Sequence, residues 1–190
     1  MIHLLLLLGA LQSGPVLEAR HAEVVSGHVV EVQGRRLRLW GLDTPQPGAM
    51  CADDGGEAYD CDAWAREVLT ELIMEGAEGL TFLASQIHVQ YATSPSVRCE
   101  IMGEDADGTT VGRCAVLKPN CIPQQVECQD NWYDLSAEVI SSGGGAQRRD
   151  ETQGAFDEAE AAACHGSIGV WGVPDGAGVA RRETTPNCPV

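Results

Sequence analysis

The segment Arg36-Leu37-Arg38-Leu39-Trp40-Gly41-Leu42-Asp43-Thr44-Pro45-Gln46 carries the residue types best suited to chemistry. It alternates with period two and then breaks at Asp43-Thr44-Pro45. Leu37, Leu39 and Gly41 fall on one face of a strand, and Arg36, Arg38 and Trp40 on the other. Arg38 stands five residues before the Asp43-Thr44 pair. A guanidinium fixed on a strand beside oxygen ligands for a cation is an arrangement that handles phosphate.

The elements around this segment are those of a small mixed domain. Glu23 to Val32 is a valine-rich run interrupted by Ser26-Gly27-His28, and Gln33-Gly34 is a turn signal, so the run and Arg36 to Leu42 form a β-hairpin. From Glu57 to Met74 the residues Ala58, Cys61, Trp64, Ala65, Val68, Leu69, Leu72 and Ile73 recur at spacings of three and four, which predicts an amphipathic helix ending at Gly76. Leu80 to Gln90, Val97 to Met102 and Val111 to Leu117 read as strands, with a turn over Gly103 to Gly108. Residues 118–131 read as a polar loop. Asp134 to Ile140 suits a short helix stopped by Gly143-Gly144-Gly145. A last helix starts at Asp150 or Thr152, faces Ala155, Phe156, Ala159, Ala162 and Ala163 inward, and ends near His165-Gly166. Asp157, Glu158 and Glu160 read as its solvated face, and His165 as a cation complementing its C-terminal dipole.

The R-L-x-x-x-D-T-P pattern from Arg38 to Pro45 resembles the core of the thermonuclease (staphylococcal-nuclease-like) family, whose pattern ends in Glu where this chain has Gln46. The similarity runs from about Val24 to Trp171, through the Ser26-Gly27-His28 turn, the helix from Glu57, the Asp105-Ala106-Asp107-Gly108-Thr109 turn, Asp134-Leu135 and the last helix into Gly169-Val170-Trp171. It implies an α+β fold: a five-stranded OB-fold β-barrel with about three α-helices. It also implies metal-assisted phosphodiester cleavage, with two carboxylates and a backbone carbonyl on Ca2+, a glutamate as general base, and two arginines on the transition state.

Carried over residue by residue, the first arginine is Arg38, one metal carboxylate is Asp43, and the carbonyl ligand is Thr44. His28 stands where the second metal carboxylate belongs, and neutral imidazole is a poor Ca2+ ligand. Gln46 stands at the general base, and Thr109 at the second arginine. Loss of a general base costs a factor of about 10²–10⁴, and loss of a charge-stabilising donor about 10²–10³. The plainer reading of Arg38 and Asp43 is an internal ion pair holding the barrel. His28 then reads as an ordinary turn histidine, and Trp40 as either lining the cleft or packing the core.

Acidic residues outnumber basic ones 28 to 12, for a net charge of −16. The basic pairs Arg35-Arg36, Arg148-Arg149 and Arg181-Arg182 are scattered, which argues against nucleic acid as partner. Met1-Ile2-His3, the Leu4–Leu8 run and Gly9-Ala10-Leu11 form an apolar stretch of signal-peptide length, too short to span a bilayer. Residues 1–22 are expected to be a signal peptide cleaved between Ser13 and Ala22, residues 23–172 the thermonuclease-like domain, and 173–190 a flexible tail. No transmembrane span is expected in the mature form.

Eight cysteines downstream of the leader, without Cys-x2-Cys pairs, indicate disulfides and an oxidising compartment, secreted or periplasmic. Proximity in the expected topology pairs Cys51–Cys61, Cys99–Cys114, Cys121–Cys128 and Cys164–Cys188. The leading expectation is an exported binding module that has lost the Ca2+-dependent reaction and recognises a protein, peptide or glycan. It carries no cofactor, or Ca2+ if the family site survives. The alternatives are an altered phosphodiesterase using Arg38, Asp43 and His28 with a transition metal, and a structural domain of the cell envelope.

Overall fold

The computed structural model describes residues 14–52, 57–83, 86–91, 96–120 and 129–172. In chain order the strands are β1 (Val16–Ala19), β2 (Glu23–Ser26), β3 (Val29–Val32), β4 (Arg35–Leu39), β5 (Leu42–Asp43), β6 (Met50–Ala52) and β7 (Ala58–Asp60). Helix α1 (Cys61–Ala77) follows, then β8 (Glu78–Leu83), β9 (Gln86–Tyr91), β10 (Val97–Glu104), β11 (Thr110–Asn120) and β12 (Gln129–Asp134). The chain continues through α2 (Leu135–Ser141), β13 (Ala146–Gln147), α3 (Arg149–Thr152), α4 (Asp157–His165) and a 3₁₀ turn at Gly169–Trp171.

The fold is mixed α+β with a mostly antiparallel main sheet of seven strands in the order β1-β10-β11-β4-β3-β2, with β12 also on β11. Strand β11 is the hinge of this topology. Its first part pairs in parallel with β4, Val111 with Arg38 and Gly112 with Leu39. Its second part pairs antiparallel with β12, from Ala115–Asp134 to Asn120–Gln129. Residues 118–131 were expected to be loop, yet their flanks extend β11 and build β12, because the strand edge left open beyond β4 needs backbone partners.

Three further elements differ from expectation. The valine-rich run divides into β2 and β3 at Gly27-His28. Gln33 and Gly34, both at positive φ, make the next tight turn into β4. Leu80 to Gln90 divides into β8 and β9, which pair with each other as a separate two-stranded sheet. The first helix begins at Cys61 rather than Glu57, because Ala58–Asp60 pair with Met50–Ala52. Asp60 then caps the helix, accepting the Asp62 and Ala63 N–H groups at 2.9 and 3.1 Å.

The helix buries the face that its spacing predicts. Cys61, Ala65, Val68, Leu69, Leu72 and Ile73 are buried, and Trp64 packs at the edge and donates its indole N–H to Ser142 O at 3.1 Å. They meet Val30, Val32, Leu37, Leu39, Val97 and Val116 from the sheet, together with Leu135, Val139 and Ile140 of α2. The Cys99–Cys114 disulfide lies on this core side, joining residues directly opposite in β10 and β11. Cys51–Cys61 ties the β6–β7 ribbon to the start of α1. It belongs to a smaller cluster with Ala146, Ala163, Val170 and Trp171. Cys164 is disulfide-bonded as well; the expected partner Cys188 and the expected Cys121–Cys128 bridge lie outside the described residues, as does the leader up to Ser13. Among the described helices none is long and apolar enough to cross a membrane.

Candidate functional site

Strand β4 delivers Arg38 into a junction of three segments. Its Nε donates to Asp105 Oδ2 at 3.0 Å, in the turn between β10 and β11. Its Nη1 donates to Glu151 Oε2 at 3.2 Å and to the Leu39 carbonyl at 3.3 Å, and its Nη2 to Glu151 Oε1 at 2.6 Å. Only 8% of the side chain is exposed. Burial works against the positive charge, but the hydrogen bonds and charges of Glu151, then of Asp105, outweigh it and raise the Arg38 pKa above its ordinary value. The carboxylate partners of Arg38 are therefore Glu151 and Asp105, not Asp43. Asp43 is close in sequence but sits on β5, where its backbone pairs with Ala146.

Glu151 is positioned by the backbone as well as by Arg38. Its Oε2 accepts the Gly41 N–H at 2.8 Å, and Arg148 Nε approaches Oε1 at 3.3 Å. Gly41 adopts φ +73°, and an added Cβ there would collide with Thr152 and Phe156. This glycine lets β4 turn into β5 while α3 closes over it. Trp40 is half-buried, edge-on to Phe156 at 5.6 Å with Arg113 5.2 Å over its ring, and its carbonyl accepts from Ser136 Oγ at 2.8 Å. It is thus part of the packing between β4 and the helical side.

Asp105 Oδ2 holds Arg38 while Oδ1 accepts the Thr109 N–H at 2.9 Å. The turn thus brings Thr109 to Arg38 through Asp105. The neighbouring Asp107 carboxyl has the largest influence in holding the Asp105 carboxylate below its ordinary range. Burial opposes it, and Arg38 and the Thr109 N–H reinforce it.

His28 is the second centre. The β2–β3 turn is pressed onto α1 at Gly27, whose N–H donates to Asp62 Oδ1 at 3.2 Å and where a Cβ would meet Ala65. This sets His28 Nδ1 2.7 Å from Thr44 Oγ1. Thr44 is buried, so its hydroxyl takes a partner from the imidazole rather than from water. Burial holds the His28 pKa below its ordinary value; Asp62 and Asp43 pull it up, and Arg38 and Arg148 push it down. Arg38, Asp43, Thr44 and His28 thus share one neighbourhood. Gln46 is exposed beyond buried Pro45, and its carbonyl accepts the Ala49 N–H at 3.0 Å.

These donors do not suit Ca2+. One carboxylate and an imidazole replace the oxygen-rich set a hard cation takes. Among the described residues no three His, Cys, Asp or Glu side chains gather as a metal site. A phosphate aimed at Arg38 would have to displace a bidentate carboxylate.

A second ionic network corrects the reading of the last helix. Gln153 and Gly154, at φ 51° and 92°, split the expected helix into α3 and α4. Glu160, expected on a solvated face, is 2% exposed. It accepts from Arg149 Nη2 at 2.6 Å and from Gln147 N and Nε2 at 3.1 and 2.9 Å. Asp157 Oδ1 accepts from Arg149 Nη1 and Gln147 Nε2, both at 2.7 Å. Arg149 is thereby neutralised, while Arg148 pairs separately with Glu151 and Asp150. Sequence reasoning missed Glu151 and Glu160. The signal available was the density of charge from Arg148 to Glu160, which does not identify a partner 113 residues away.

No family model matches the chain. It is similar to the succinoglycan biosynthesis protein ExoI of Rhizobium meliloti (strain 1021), at 26% identity over 150 residues. The match covers 79% of this chain and 62% of that protein, so the chain spans less than two thirds of its relative.

Proposed function

We propose that this chain is an exported, disulfide-stapled domain of thermonuclease-like, OB-type architecture that has lost the metal-dependent nuclease reaction and works as a binding module. The observation that carries the reading is the two-pronged Glu151 carboxylate on Arg38. The group best suited to a phosphate is already neutralised and covered, so its role is to tie β4 to α3. Gln46 supports the same reading, since an amide positions water but does not deprotonate it. His28, bonded to Thr44, supports it too. The net charge of −16 disfavours a nucleic-acid partner. The disulfides fit an oxidising compartment, secreted or periplasmic. Similarity to a protein named for glycan biosynthesis favours a glycan over a peptide or protein as ligand.

The test is a nuclease assay of the oxidised chain on DNA and RNA with Ca2+, Mn2+ or Zn2+. No cleavage is expected with any of them. Cleavage that disappears in Arg38→Ala would overturn the reading. The substitutions His28→Asp, Gln46→Glu and Thr109→Arg restore the family groups, yet Glu151 still covers Arg38. Activity is therefore expected only when Glu151→Ala is added to the three.

A further inference from the structure

The outward face of β10, β11 and β12 holds an open groove of about 360 Å³ lined by Arg98, Glu100, Arg113, Ala115, Trp132 and Asp134. Strand alternation creates it. Val97, Cys99, Cys114 and Val116 turn fully into the core, so the residues between them face out. The register sets Ala115 between Arg98 and Asp134 and places Glu100 opposite Arg113. A small residue is thus the floor, with charged planar groups around it.

Trp132 stands at one side with 44% of its surface exposed. An indole this exposed on a sheet face, with no ring or hydrogen-bond partner among the described residues, is a contact surface. Arg113 lines the same groove and is held in place, lying 5.2 Å over the Trp40 ring and 2.8 Å from Asp134, while half its side chain stays exposed. The guanidinium is pre-oriented yet accessible, unlike that of Arg38.

We propose that this groove binds an oligosaccharide, with a pyranose ring stacked on Trp132 and its hydroxyls bridging the guanidinium and carboxylate groups. This rests on the binding-module reading and names its ligand class. A pyranose offers an apolar C–H face and a rim of hydroxyls that both donate and accept. The groove offers an apolar indole face, two guanidinium donors and two carboxylate acceptors. Two arginines and two carboxylates sum to zero charge in a chain of net −16, which suits an uncharged sugar and not a polyphosphate strand.

The experiment is calorimetric titration of the oxidised full chain with cellotetraose, laminaritetraose and a galacturonate tetramer, and with a single-stranded DNA oligonucleotide at the same salt. Saturable binding of a neutral tetrasaccharide is expected. Trp132→Ala should weaken it about tenfold or more, Trp132→Phe less, and Arg113→Gln should weaken it with the melting temperature kept. Binding that Trp132→Ala leaves unchanged, no saturable binding of any sugar at millimolar concentration, or tighter binding of the DNA would each overturn the proposal. The nuclease assay separates the two failures. Wild-type cleavage sinks the disarmed-site reading, whereas an inert wild type that binds no sugar sinks the groove alone.

Discussion

Arg38 and Glu151 are 113 residues apart and meet through two hydrogen bonds, Nη2 to Oε1 at 2.6 Å and Nη1 to Oε2 at 3.2 Å. The same carboxylate accepts the Gly41 N–H, so one side chain fixes the guanidinium and the backbone that carries it. Removing either partner leaves a charge buried with only part of its compensation. Glu151→Leu or Arg38→Met should cost about 3 kcal/mol, about 6–12 °C of melting temperature in a chain of this size. The double variant Arg38→Met/Glu151→Leu should recover most of that loss. Thermal melts of the four proteins check it, and a double variant as unstable as the sum of the singles would refute the pairing.

Two groups at this junction make stability depend on pH in the same direction. His28 titrates near 6.5 when unfolded and lower when folded, so between those values the unfolded chain binds more protons. Its contribution is complete above about pH 6.5 and declines as pH falls from there through the folded value. Asp105, held below its ordinary 3.8, contributes above that value and loses its contribution as pH falls through the folded one. Urea midpoints should therefore fall in two stages on acidification, and His28→Gln should remove the upper stage. An unchanged upper stage in that variant would assign it to another group.

The disulfides are predicted to resist reduction unequally. Both are buried, but Cys99–Cys114 joins opposite residues of two long paired strands in the main sheet, whereas Cys51–Cys61 holds a short separate two-stranded ribbon that opens more readily. Mild reductant should open Cys51–Cys61 first, and replacing either pair by alanine should cost about 2–4 kcal/mol. Peptide mapping after timed alkylation reads the order directly.

Residues of the expected leader region take part in the sheet. Val16–Ala19 pair with Val97–Glu100, Leu17 and Ala19 pack on the core, and Ala22 is buried. A chain beginning at Glu23 should be about 2 kcal/mol or more less stable than one beginning at Gly14. If the leader is removed in the native host, N-terminal sequencing should place the cut before Val16. A mature protein starting after Ala19 would contradict this.

Much of the local order was legible because it depends on near neighbours. Period-two runs fix which residues of β4, β10 and β11 turn inward, and three–four spacing fixes the buried face of α1. Asp134 announces the cap of α2, where it accepts the Ser136 and Ala137 N–H groups. The spacing of Cys51–Cys61 and Cys99–Cys114 made their pairing readable once strands were assigned. The sequence also brought His28, Arg38, Asp43 and Thr44 forward, and the folded chain gathers them.

What those residues do was decided by partners far along the chain. Arg38 reads as a phosphate ligand until α3 folds over it and supplies Glu151. Glu160 reads as surface until Gln147 and Arg149 enclose it. Trp132 lies just past the stretch 118–131 that reads as loop, and only pairing of β12 with β11 turns its indole into the wall of a groove. A charge or an aromatic ring has no fixed role in one dimension, because burial and the identity of the opposing group set its energy, and both are properties of the tertiary structure.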